Sequence, residues 1–204
     1  MPKARADLAD TSCTNIDASV SMFDHIRSDW KNYDGDLTRQ GLWVMLVYRL
    51  GRWRYNIPTR ILRFPFSILY KILKLASQIM AGIDLPCETR VGARFTIEHF
   101  GDIIISGDAQ FGDDCRIRNG VTVVLKRTSE CGSPVIGNRV DIGTGAKVLG
   151  AITVGDDVAI GANAVVTKDV PANSVAVGVP AVVKPRVSPA ESDTISTPSA
   201  SADV

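Results

Sequence analysis

Val135-Ile136-Gly137-Asn138-Arg139-Val140-Asp141-Ile142-Gly143-Thr144-Gly145-Ala146-Lys147-Val148-Leu149-Gly150 repeats itself every six residues. Carried onward, the period sets aliphatic residues at Ile136, Ile142, Val148, Val154, Ile160 and Val166, with glycine directly after four of them. Six residues make one short strand and one turn, so three hexads close a triangular coil and set each residue above the one three hexads earlier. The spacing therefore predicts Ile136 against Val154, Ile142 against Ile160 and Val148 against Val166. Upstream the same period reads Val91, Ile97, Ile103 and, after a two-residue slip, Ile105, Phe111, Ile117 and Val123. The aliphatic position points inward to a ladder of branched side chains, and the glycine after it is expected to spare the corner a Cβ clash. A Val-rich antiparallel sandwich would instead alternate residue by residue, with turn signals about every 8–12 residues. The six-residue spacing predicts a mainly β chain wound as a parallel β-helix.

The 204 residues are 45% hydrophobic with a net charge of +1, enough for one sizeable soluble domain with appendages and no nucleic-acid partner. The start, Met1-Pro2-Lys3-Ala4-Arg5-Ala6-Asp7, lacks the apolar core of a secretory signal. Cys13, Cys87, Cys115 and Cys131 show neither C-x-x-C spacing nor a dense disulfide framework, so a reducing, cytoplasmic location is expected. Only His25 and His99 occur, which excludes a three-histidine metal site within one chain, and no metal is expected.

Four stretches follow from composition. Residues 1–21 are polar and aperiodic and read as a flexible leader, and residues 187–204 are rich in Ser, Thr, Pro and Ala and read as a disordered tail. Between them lie an N-terminal helical section, 22–82, and the β-helix, 83–186. From Leu37 to Ile83 there are eight Lys or Arg and no Asp or Glu. The apolar run from Ile61 approaches the length of a membrane span, but Arg63, Lys71 and Lys74 interrupt it, and cations in hydrocarbon cost several kcal/mol. The section is therefore expected either to cap the first coil and pack an oligomer, or to lie through residues 37–83 on an anionic membrane surface or dock an acidic partner. Val121, Val123, Val140 and Val158 are expected on coil faces that neighbouring chains cover.

Ionisable side chains break the apolar pattern at Gly82-Ile83-Asp84-Leu85 and at Phe95-Thr96-Ile97-Glu98-His99-Phe100-Gly101. An imidazole is the one side chain whose ordinary pKa suits a base near neutrality, and a carboxylate on its other nitrogen fixes the tautomer. Asp84 and His99 fall near one coil, within reach of neighbouring rungs. Leu125 to Pro134 interrupts the hexads, and Lys126 and Arg127 within it are suited to an acceptor's phosphate or carboxylate, or to solvent.

These residues resemble the hexapeptide-repeat acyltransferases, and among them the serine acetyltransferase family with its colanic-acid and exopolysaccharide members. The resemblance covers about residues 22–186 and rests on Gly82-Ile83-Asp84, Glu98-His99, Asn119-Gly120-Val121-Thr122, Ile142 to Gly150 and Ala176-Val177-Gly178-Val179-Pro180-Ala181. It implies a left-handed parallel β-helix, assembly as a homotrimer or a multiple of three, and acetyl-CoA as donor in the groove between subunits. By matching motif it implies His99 as general base, Asp84 as its orienting carboxylate and Glu98 against the acceptor. It further implies Thr144, Gly145 and Ala162 along the pantetheine arm, and Lys184 and Arg186 near the nucleotide phosphates. The serine-specific members carry an Arg-His pair just before the hexads; here those positions read Gly132-Ser133. The expected activity is acetyl-CoA-dependent O-acetylation of a sugar hydroxyl in surface or exopolysaccharide synthesis, in the cytoplasm and peripheral to the inner face of the membrane. Acetylation of L-serine and a non-catalytic scaffold are the alternatives.

Overall fold

A computed structural model describes residues 22–125 and 132–186. The leader, the tail and both Lys126 and Arg127 lie outside the described residues. Helices α1 (Met22–Asn32), α2 (Gln40–Trp53) and α3 (Arg60–Ala81) come first. Strands then follow three to a coil. The first coil holds β1 (Ile83–Asp84), β2 (Arg90–Val91) and β3 (Thr96–Ile97), and the second β4 (Ile103–Ile105), β5 (Gln110–Phe111) and β6 (Arg116–Ile117). The third holds β7 (Thr122–Val124), β8 (Val135–Ile136) and β9 (Asp141–Ile142), and the fourth β10 (Lys147–Leu149), β11 (Thr153–Val154) and β12 (Ala159–Ile160). After β13 (Val165–Val166) and β14 (Ser174–Val177), β15 (Val182–Pro185) turns back antiparallel onto β14.

Each strand of a coil pairs in parallel with its counterpart in the next, giving three sheets: β1-β4-β7-β10-β13, β2-β5-β8-β11, and β3-β6-β9-β12-β14 closed by β15. We call these sheets one, two and three. Ile136 pairs with Val154, Ile142 with Ile160 and Val148 with Val166, the stacking that the hexads predict. The slip sits inside β4, where Ile103 and Ile105 both face inward and Ile104 faces out.

Val121, Val123, Val140 and Val158 correct the expectation set on them. All four are fully buried within a single chain. Alternate residues of a strand share a face, so the residue two before each hexad aliphatic also points inward. Val121 thus precedes Val123, Val140 precedes Ile142, and Val158 precedes Ile160 in one core. The hexad glycines also act differently from expectation. A Cβ on Gly143 would lie 2.7 Å from Ala162 N, so these positions are small because the next coil lies against them. The sharp corners between sheets two and three are made instead by Arg94, Asp114, Arg139 and Asp157 in left-handed conformation.

The first two helices close the open end of the coil. Leu42, Met45 and Tyr48 of α2 share the core with Ile83, Phe95 and Ile97. Tyr33 hydroxyl accepts the Ile97 N–H at 2.7 Å, and Asn32 Nδ2 donates to Thr96 Oγ1 at 2.7 Å. The buried Arg49 guanidinium of α2 is met by the equally buried Asp29 of α1, Nε to Oδ2 at 2.9 Å.

Candidate active site

The turns from sheet three into sheet one stack along a single edge of the prism. Residues 98–102 join β3 to β4, Asn119-Gly120 join β6 to β7, Thr144-Gly145 join β9 to β10, and Ala162-Asn163 join β12 to β13. Backbone hydrogen bonds tie each turn to the next: Gly120 N to Gly101 O, Gly145 N to Asn119 O, and Asn163 N to Thr144 O, all 2.8–2.9 Å. With adjacent strands about 4.8 Å apart, the edge runs about 14 Å from the first turn to the fourth.

His99 is exposed on the first of these turns. The turn is pinned at both ends, by Glu98 N to Ile117 O at 3.0 Å and by Gly101 N to Ala81 O at 2.8 Å. Gly82, in left-handed conformation at the end of α3, lies against Gly101 and Asp102, where a Cβ would meet Asp102 N at 3.2 Å. Asp84, two residues on, pairs with Ile104 of β4, the strand into which the His99 turn leads. Asp84 lines a cleft of about 310 Å³ with Gln78, Gly82, Asp102 and Ile104. Its Oδ1 is shut off from solvent without a hydrogen-bond partner, although Lys74 Nζ lies at ion-pair distance, 3.2 Å, off hydrogen-bond alignment.

Glu98 is already engaged. Arg118 Nε lies 2.8 Å and Arg116 Nε 3.1 Å from its carboxylate, and Arg118 also ion-pairs with Asp141. Asp141 hydrogen-bonds the Arg118 guanidinium and holds its pKa above the ordinary value. Arg118 and Asp141 were not singled out from the sequence. Stacking Glu98 on the next coil with the two-residue slip included would have found Arg118.

Thr144, Gly145 and Ala162 share the edge with His99. Lys184 and Arg186 do not. Lys184 pairs with Val175 across sheet three, and Arg186 Nη1 donates to Asp157 O at 3.4 Å on the opposite corner. The interruption leaves the coil between β7 and β8, at the far side of sheet one from His99. Among the described residues, no group of three His, Cys, Asp or Glu is placed to hold a metal ion.

No family model matches the chain. A serine acetyltransferase of Helicobacter pylori is 38% identical over 141 residues, covering 68% of this chain and 77% of that protein. The proposed colanic acid biosynthesis acetyltransferase WcaB of Escherichia coli is 34% identical over 146 residues, covering 69% of this chain and 88% of that protein. The chain belongs to the serine acetyltransferase family. A family member from Mycobacterium tuberculosis is 38% identical over 146 residues, and the match spans 60% of its length and 70% of this chain. Among solved members, the serine acetyltransferase of Brucella abortus in complex with coenzyme A superposes with a TM-score of 0.66 at 28% identity, covering 78% of this chain and 65% of that one.

Proposed function

We propose that the chain is an acetyl-CoA-dependent O-acetyltransferase whose acceptor is a sugar hydroxyl of a surface or exopolysaccharide. The observation that supports this reading is topological: the turn carrying exposed His99 leads into β4, and β4 pairs with the β1 strand that carries Asp84, whose enclosed oxygen meets Lys74. His99 takes the acceptor's proton, and Asp84 orients the ring and stabilises the imidazolium. The acceptor oxygen attacks the thioester carbonyl, backbone N–H groups of the edge receive the oxyanion, and the leaving thiolate recovers the proton. The coenzyme A complex of the Brucella relative supports the donor, which would follow Thr144, Gly145 and Ala162. Lys184 and Arg186 then meet nucleotide phosphates only across the face of sheet three.

The winding is left-handed, the helical section 22–82 and the β-helix 83–186 form the two structural units, and three chains associate with the donor between neighbours. Lys126 and Arg127, which fall in the sequence between β7 and β8, would serve the acceptor in that assembly. A monomer by light scattering at micromolar concentration would remove both statements.

Two observations favour a sugar over L-serine. The Glu98 charge is balanced by Arg116 and Arg118, so Glu98 is not left free for an ammonium group, and Gly132-Ser133 offers no clamp for a carboxylate. An unpaired charge in a desolvated site costs several kcal/mol, a demand that a sugar hydroxyl does not make. The serine reading draws on the names of the relatives from Mycobacterium and Helicobacter. Thiol release from acetyl-CoA decides between them: glycans or their lipid-linked precursors should outpace L-serine. Serine turnover of about 10 s⁻¹ or more with KM near 1 mM or below would overturn the sugar reading.

A further inference from the structure

Helix α3 is built unlike the two helices that close the coil. Only Tyr70 and Ala81 of its 22 residues are buried. Its inner side is held by Phe66 edge-on to Trp53 and by the Tyr70 hydroxyl, which accepts the Cys87 N–H at 3.0 Å. Its outer side is bare: Ile61 is 82%, Ile79 75% and Met80 80% exposed, and Phe64 and Ile72 are exposed with them. At 3.6 residues per turn, Ile61, Ile72 and Ile79 share the centre of this face, and Phe64 and Met80 mark margins about 160° apart. A coiled-coil seam is a narrow stripe, whereas this face takes nearly half the cylinder.

Charge decides what covers it. Arg60 and Lys71 are exposed beside the Phe64 margin, with Arg63 and Lys74 further round. Lys74 meets Asp84 at 3.2 Å, while the stretch from Leu37 to Ile83 itself carries no Asp or Glu. Two α3 helices placed face to face would bring both sets of cations together with no acid on either helix, a like-charge arrangement that opposes pairing. A surface that is apolar in depth and anionic at its boundary matches the face on both counts.

We propose that α3 lies in the headgroup layer of an anionic membrane, with Ile61, Ile72 and Ile79 at the acyl boundary and Arg60 and Lys71 on lipid phosphates. No helix among the described residues is long and apolar enough to cross a membrane, and α3 lies along the surface instead. Gln78 and Gly82, at the end of α3, line the Asp84 cleft, so the cleft opens beside the bilayer. This deepens the peripheral location given above, and it would bring a lipid-linked acceptor to the site.

Cosedimentation of the full chain with vesicles tests it, comparing phosphatidylglycerol in phosphatidylcholine with phosphatidylcholine alone. The chain is expected to partition onto the anionic vesicles and far less onto the neutral ones. Arg60→Gln with Lys71→Gln should lower the partition coefficient about thirtyfold, from about 1 kcal/mol for each cation near the surface. Ile72→Asp with Ile79→Asp should abolish partitioning while circular dichroism stays unchanged. Wild type remaining in the supernatant with both vesicles overturns the proposal. So does an aspartate variant that loses assembled mass by light scattering yet still partitions, which would assign the face to a second copy. Thiol release with a soluble acceptor is read separately: vesicle binding without any acetyl transfer sustains the membrane surface and removes the enzymatic reading.

Discussion

A carboxylate oxygen enclosed without a hydrogen bond costs about 1–3 kcal/mol, and Asp84 Oδ1 is enclosed with no aligned hydrogen bond, its charge met by Lys74 Nζ at 3.2 Å. His99→Ala should slow the chemical step about 10²–10⁴-fold and leave acetyl-CoA affinity nearly unchanged, because the imidazole acts on the acceptor's proton. Asp84→Asn should cost less, since it removes orientation and leaves the base. Pre-steady-state turnover and a separate binding titration check both, and a His99→Ala variant with wild-type turnover would remove the mechanism. The cysteines behave oppositely. Burial pushes the Cys115 thiol up to about 11 and raises Cys87 as well, so neither offers much thiolate at neutral pH. With Cys13→Ser and Cys131→Ser in place, a maleimide should leave the folded chain unlabelled and take up two equivalents on denaturation. Rapid labelling of the native protein would contradict the packing around them. At this scale Asp84 and His99 were visible in the sequence because they interrupt an apolar pattern. The Glu98-Arg118-Asp141 network was not, because charged residues facing outward from a strand look like ordinary solvated surface until the coil offset is known.

At the scale of elements, the α1 and α2 cap encloses a buried ion pair. Asp29 is fully buried and Arg49 nearly so. Asp29→Ala would strand a guanidinium without its counter-charge, and urea unfolding should report a loss of about 3–5 kcal/mol. Asp29→Leu with Arg49→Met should recover most of it, since apolar replacement of both partners removes the desolvation cost along with the attraction. A single variant as stable as the double would show that the pair is dispensable. Nothing in the periodicity pointed to this contact. A helical stripe predicts which residues face inward but not which charge on one helix finds which on another. The hexads were more informative, because an inward ladder at fixed spacing fixes the strand register outright, as Ile136 against Val154 shows. They misled where one aliphatic per hexad was counted as inward, since the residue two before it turns to the core as well.

On the scale of the whole molecule, the corner between sheets two and three is laced by charge. Arg94 hydrogen-bonds Asp114, Arg139 hydrogen-bonds Asp157, and the Asn138 backbone N–H donates to Asp156. Each of these bonds is the leading cause holding its carboxylate below the ordinary range. Depressed folded values contribute stability that is present above the unfolded value of about 4 and is lost as pH falls through the lower folded values. The melting temperature should therefore drop below about pH 4, and less steeply at high salt, because these groups are exposed and screened. A melting temperature unchanged down to about pH 2 would mean that the corner pairs add nothing. The opposite edge carries a different kind of information. Because the coils are stacked at one strand spacing, the distance from His99 to Ala162 is set by counting turns, so the protein works as a ruler graduated in steps of about 5 Å. Removing one whole coil would leave every remaining ladder in register and shorten that ruler by one graduation, so the length of this edge is encoded by the number of repeats.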